Sequence, residues 1–305
     1  MYGPTLRRAE TLAASSGARA YDSLEAFFDA GPLDMVAIGT PSGLHGEHGA
    51  AASRRGIHVL VEKPIEITVA RTDALIAEAR RARVTLGVIF QDRVKPDVRA
   101  LKSRLDAGEL GLSLIVRAEV PWWRPPSYYR GSSWRGTWAL DGGGALMNQG
   151  IHTVDLLLWL CGPVRRVYGK TATQFHDIEV EDTAVAVLEF ASGAVGTLEA
   201  TTCAYPGRPR RIEITGSKGS AVLVGDGLID GQERREGQEK PQNVASPVVS
   251  DVSAHRDVFA DFIRAFRAGV SPLCGGEDAR RSVQLIEAIY TSSRLARPID
   301  LGGWA

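Results

Sequence analysis

Lys63 closes the run Val59-Leu60-Val61-Glu62 and is followed by Pro64. A short apolar run of this kind reads as a buried strand, which puts the lysine at the carboxyl end, where open α/β sheets take their ligands. Partial burial there lowers a lysine's pKa and lets it donate to a substrate hydroxyl or relay its proton. Pro64 fixes the backbone behind it, with a cis peptide as one way of doing so. The plain alternative is a solvated strand-end lysine. A second set lies within residues 142–155, where Gly142-Gly143-Gly144 leads into a helix expected over residues 145–160. The glycines allow the backbone close to a ligand or to another segment of chain. Asn148 and His152, four apart, share one helical face, and Asp155 stands three further on to orient the imidazole. A histidine held by a carboxylate is a general base for a hydroxyl proton; otherwise it is a hydrogen-bonded core histidine.

Two weaker sets accompany these. Thr40-Pro41-Ser42-Gly43-Leu44-His45 follows the apolar residues 34–39, and a turn of this composition opening a helix offers N–H groups to a phosphate or ribose. Trp122-Trp123-Arg124, Tyr128-Tyr129 and Trp134-Arg135 can stack on a sugar ring and donate to hydroxyls, carboxylates or phosphate, or pack an oligomer interface. Trp134 and Arg135 lie nearest the glycine run and are preferred for the site. No metal site is expected: His152 and Asp155 are too few ligands, and His176, Asp177 and Glu179 read as a solvated turn.

The elements that must hold these residues change rhythm along the chain. Helical spacing over residues 4–16, then strand and helix alternating to residue 90, predict parallel βαβ units. Strands are expected at residues 19–21, 34–39, 58–61 and 85–90, with helices at 23–28, 45–55 and 68–81. After Pro96 come a helix over 97–107 and longer alternating strands at 114–120, 184–190, 195–201, 211–215 and 220–224, the pattern of an antiparallel sheet. Residues 232–253 read as a polar surface loop, and helices over 255–268 and 277–295 finish the chain. The fold class is α/β plus α+β. An N-terminal dinucleotide-type domain, residues 1–94, precedes an open-faced, mostly antiparallel β-sheet domain, residues 95–305.

Composition narrows the partners. Thirty-six basic residues balance 36 acidic ones, and no basic stripe interleaved with aromatics occurs, so neither nucleic acid nor a membrane surface is expected. No apolar run approaches the roughly 18–20 residues that span a bilayer. Cys161, Cys203 and Cys274 are too scattered for a disulfide framework, and a cytoplasmic protein with reduced thiols is expected.

Taken jointly, Glu62-Lys63-Pro64, residues 142–155 and Phe90-Gln91-Asp92-Arg93 resemble the glucose–fructose oxidoreductase / inositol dehydrogenase / rhizopine catabolism (Gfo/Idh/MocA) family. The likeness covers nearly the whole chain. It implies a Rossmann domain, a sheet domain that builds homodimers or homotetramers, NAD or NADP, and hydride transfer at a secondary hydroxyl or ketone of a sugar or cyclitol. Carried over by position, Lys63 and His152 are the catalytic pair with Asn148 beside them. Thr40, Pro41, Ser42, His45, Glu62, Lys63 and Gln91 line the cofactor, and Arg93, Trp134, Arg135, Asn148 and His152 face the substrate.

Two departures accompany the resemblance. Asn148 stands where many members have aspartate, leaving His152 one charged partner fewer. Met1 falls just after the second Rossmann strand of the family pattern, so the domain is expected to be N-terminally truncated, without the Gly-x-Gly-x-x-Gly loop, the strand at residues 34–39 then having an exposed edge. Three readings follow: an NAD(P)-dependent dehydrogenase or reductase, a redox-neutral NAD-using glycoside lyase or hydrolase, and a non-catalytic sugar-binding or oligomerising protein.

Overall fold

The computed structural model describes residues 1–230 and 252–302. Its elements in chain order are α1 (Leu6–Ala13), α2 (Leu24–Asp29), β1 (Met35–Ile38), α3 (His45–Ser53), β2 (His58–Glu62), α4 (Val69–Ala82), β3 (Leu86–Ile89), α5 (Pro96–Asp106), β4 (Ser113–Pro121), α6 (Pro126–Arg130), α7 (Ile151–Cys161), β5 (Val164–Ala172), β6 (Thr183–Phe190), β7 (Val195–Thr201), β8 (Arg211–Gly216), β9 (Ser220–Val224), β10 (Gly227–Asp230), α8 (Ser253–Ala268), α9 (Gly276–Leu295) and β11 (Ile299–Asp300).

In the first layer β1, β2 and β3 pair in parallel in that order. Val59, Val61, Val88 and Leu60 are fully buried, as both faces of a parallel sheet require. Ser23 and Thr68 accept from N–H groups of α2 and α4, the capping role their side chains favour. Residues 19–21 form a parallel bridge through Tyr21 to Tyr2 rather than a full strand. Among the described strands β1 pairs with β2 alone.

The second layer is an eight-stranded sheet, β10-β9-β8-β4-β7-β6-β5-β11. It is antiparallel except where β4 and β7 run parallel. Strands β5, β10 and β11 were not expected from the sequence. One face buries the alternating residues Val116, Ala118, Val120, Ala184, Ala186 and Leu188 against α7 and α9. Among the described residues the other face stays open, with Tyr168, Val185 and Val187 exposed on it.

Helices α8 and α9, assigned by sequence to the second domain, return to the first sheet: Val258 and Phe262 pack on Leu60 and Ile89. Gly87 bridges Gly275, with the Val88 N–H donating to Cys274 O at 3.0 Å. The expected helix over residues 145–160 divides into a π-helical turn, residues 145–150, and then α7. Of the expected loop at residues 232–253, all but the last two residues lie outside the described residues, and Ser253 already belongs to α8. The three cysteines are unpaired.

Candidate functional site

Lys63 leaves the end of β2 through a cis bond to Pro64. His45, buried at the start of α3, holds this segment, one ring nitrogen 2.7 Å from Pro64 O and the other 2.9 Å from Thr40 O. Burial pulls the His45 imidazole down, against both contacts. Glu66, also buried, accepts from Gly46 N at 3.0 Å, Ile67 N at 2.7 Å and Arg71 at 2.8 Å. A carboxylate at the head of α3 suits the partial positive charge there. Together these groups anchor both sides of the lysine.

The Lys63 ammonium reaches across to the second layer and donates to Asn148 O at 2.6 Å. Burial pulls its pKa down, opposed by Glu62, Asp141 and Asp92. Two ammonium hydrogens remain for other acceptors. Its acceptor sits on the π-helical turn, which Glu181 pins from below: its carboxylate takes Gly144 N at 3.0 Å, Leu146 N at 2.8 Å and the Tyr290 hydroxyl at 2.8 Å. The glycine run serves this packing. A Cβ on Gly142, which has φ +76°, would lie 2.4 Å from Ile67 Cβ, and one on Gly144 would lie 2.0 Å from Glu181 O. The close approach is therefore to the chain itself.

His152, in the first turn of α7, stands edge-on to Phe90 with ring centres 5.6 Å apart. Its carboxylate neighbour is Asp92, whose Oδ2 lies 3.9 Å from Nδ1. The expectation that Asp155 orients this ring is overturned, because Asp155 makes a two-pronged ion pair with Arg93 at 2.6 and 2.8 Å. That pair also takes Arg93 out of the expected substrate set. Arg93 is only 3% exposed, and its remaining contacts are Leu273 O, Asp278 and the Trp159 ring. Asp92 in turn binds Arg210 and, at 2.8 Å, Lys95. Burial pushes Asp92 up, but Arg210, His152 and Lys95 outweigh it and hold the carboxyl well below its usual range. Burial takes His152 down to about 3, against the pull of Asp92 and helped by Lys63. The imidazole is thus neutral near pH 7, its buried Nδ1 facing Asp92 from beyond hydrogen-bond distance.

Asn148 lies on the π-helical turn that leads into α7, where His152 sits. Its amide donates to Asp141, and its side-chain oxygen accepts from Gln149 at 2.5 Å. Arg124 donates twice to Gln149 Oε1, at 2.8 and 2.6 Å, and Gln149 donates to the Tyr128 hydroxyl at 3.0 Å. Arg135 lies over the Tyr128 and Trp134 rings, 4.5 and 5.2 Å from their centres. It also lines a cleft of about 260 Å³ that includes Arg130, His176, Asp177 and Glu179. His176 is buried there against Tyr129 rather than lying on a solvated turn. Asp92, Asp141, Gln149 and Glu181 were not singled out from the sequence. Of these, Asp92 lay inside the segment residues 90–93 and Gln149 inside residues 142–155, without either being given a role.

Thr40, Pro41 and Ser42 follow the carboxyl end of β1, Glu62 and Lys63 that of β2, and Gln91 that of β3. Parallel pairing sets all three ends on one edge. Gln91 is buried with its Oε1 atom unpartnered.

A parallel sheet ending on Lys63, fastened to a mostly antiparallel second sheet whose covering helix carries His152, defines a mixed α/β protein with a Rossmann-like first layer. Residues 1–90 match the oxidoreductase family with NAD-binding Rossmann fold, and residues 98–222 match the GFO/IDH/MocA C-terminal domain. The chain belongs to the Gfo/Idh/MocA family, whose first domain takes NAD(P). It is similar to the WlbA dehydrogenase of Bordetella pertussis, solved in complex with NADH and UDP-GlcNAcA, at 32% identity and TM-score 0.88 over 99% of this chain and 89% of that one. It is 26% identical to myo-inositol 2-dehydrogenase of Thermotoga maritima, over 88% of this chain and 80% of that protein. An uncharacterized oxidoreductase of Bacillus subtilis, YrbE, is 30% identical over 62% of this chain, a match that spans 55% of YrbE's own length. Among the described residues no helix is long and apolar enough to cross a membrane.

Proposed function

We propose that the chain works as an NAD(P)-dependent oxidoreductase on a secondary hydroxyl or ketone of a sugar, sugar derivative or cyclitol. The observation that supports this reading is the bridge from Lys63 to the turn that leads into His152. Lys63 crosses from the first sheet to the carbonyl four residues before His152, and the two groups interact electrostatically. In oxidation, His152 takes the hydroxyl proton on Nε2, its Nδ1 being buried and facing Asp92. Lys63 donates a hydrogen bond to the same oxygen and stabilises its developing charge. A bound nicotinamide supplies the hydride acceptor. Thr40, Pro41, Ser42, Glu62 and Gln91 fit the nicotinamide end, because they edge the three strands and Gln91 keeps a buried oxygen without a partner. His45 has a different part, since both its nitrogens face backbone carbonyls, Pro64 O and Thr40 O, and its neutral ring donates to one of them. It positions Lys63. Asn148 acts through its carbonyl and through Asp141.

The test is NAD(P)-dependent turnover of a panel of sugars and cyclitols, beside NADH binding followed by fluorescence. Lys63→Met and His152→Gln should each lower kcat by about 10²–10⁴-fold with NADH affinity unchanged. Wild-type turnover in both variants would remove the assigned pair, and a protein that binds no nicotinamide would remove the reading itself.

A further inference from the structure

Three arginines of the second layer and its loops show what this fold does with a cation it means to neutralise internally, and two show the opposite. Arg93 faces Asp155 and Asp278, Arg210 faces Asp92 and Asp226, and Arg166 faces Asp300. Arg124 and Arg135 have no carboxylate within ion-pair distance among the described residues. The bonds of the Arg124 guanidinium go to the neutral Gln149, and Arg135 Nε is buried with no acceptor. Burial pulls Arg124 down, the mark of a cation that has lost water without gaining a counter-ion. Both guanidinium carbons lie within 5.1 Å of the Tyr128 ring centre, so they are no more than about 10 Å apart. Asp141 senses Arg135, yet its oxygens are taken by Gly136 N and Asn148. The cleft beside Arg135 also carries Arg130, Asp177 and Glu179, but among the described residues neither carboxylate comes within ion-pair distance of Arg135.

We propose that Arg124 and Arg135, stacked on Tyr128, form an anion subsite, and that the substrate is a sugar or cyclitol derivative carrying a carboxylate or phosphate. The subsite joins the candidate catalytic pair through Gln149, which neighbours the carbonyl that receives Lys63. The identity of the rest of the substrate rests on the dehydrogenase reading; the anion preference does not. Planar guanidinium groups suit both anions, as they donate in pairs.

Calorimetry on the 305-residue protein, with and without NADH, tests this with D-glucose, D-glucuronate and D-glucose 6-phosphate. One anionic sugar should bind roughly 10–100-fold more tightly than glucose, and which one identifies the carboxylate or the phosphate as the source. Arg124→Met and Arg135→Met should each abolish most of that preference, and Arg135→Lys should keep part of it. Only variants whose thermal melting matches wild type are read, and the wild-type comparison stands without them. Equal affinities, no binding of either anion, or a preference unchanged in the folded variants overturns the subsite. Turnover is scored separately: an arginine-dependent anion preference without NADH formation upholds the subsite and removes the dehydrogenase reading. NADH formation from neutral sugars with no anion preference does the reverse.

Discussion

His152 shows what burial does to a single titrating group. Unfolded, an imidazole titrates near 6.5; folded, this one is held down to about 3 by burial, with Asp92 opposing. Between those values the unfolded chain binds the extra proton, so stability rises with pH across the window and is level above it. At roughly 1.4 kcal/mol per pKa unit, the loss on acidification is at most about 5 kcal/mol. His152→Gln should flatten the melting temperature between pH 4 and 6.5 relative to wild type. If both proteins lose the same stability over that range, another group is responsible. The same shift places the acid limb of kcat/KM well below pH 6. Asp92 makes a second prediction at this scale. Asp92→Asn leaves Arg210 and Lys95 facing a neutral amide and should destabilise the protein by about 3 kcal/mol, measured by urea unfolding, more than an exposed carboxylate would.

Among the elements, the π-helical turn at residues 145–150 decides the geometry of the site. It supplies the Lys63 acceptor as the Asn148 backbone carbonyl and carries the Asn148 side chain that donates to Asp141. The turn depends on Glu181, which satisfies two of its N–H groups from 35 and 37 residues away. Glu181→Gln should therefore cost about 1–3 kcal/mol and raise KM together with lowering kcat, because it moves Asn148 O away from Lys63. A stability loss with unchanged kinetics would confine Glu181 to support of the core. Such long-range partners explain where sequence reading stops. The strand ending at Lys63 and the helices that form α2, α4 and α7 are local patterns, and all are legible. Arg93 and Asp155 are 62 residues apart, so neither the loss of Asp155 as orienting group nor the burial of Arg93 has a local signal. Strand β5 went unread because a bulge between Val164 and Arg166 breaks its alternation.

On the scale of the whole molecule, one face of the eight-stranded sheet is left uncovered among the described residues. Tyr168 pairs across the strands with Val187, and Ile115 with Val195. All four are exposed, Val187 at 51% and Val195 at 49%. Around them lie Arg117 and Glu213, 3.2 Å apart, so the face carries both signs of charge beside its apolar residues. The opposite face is already covered by α7 and α9. Two copies of such a face can meet isologously under two-fold rotation, each setting its apolar residues and both signs of charge against the other's, and eight strands offer room for the roughly 1,000 Å² or more that a stable contact needs. The protein should therefore elute with a mass that is a multiple of 32.8 kDa when light scattering is read across the peak. Tyr168→Glu combined with Val187→Glu places two like charges at the centre of that contact and should give a 32.8 kDa species. Neither residue touches the Lys63–His152 region, so NADH binding should persist in the monomer. A wild-type protein that already runs at 32.8 kDa at micromolar concentration would leave the sheet face without a second copy to cover it.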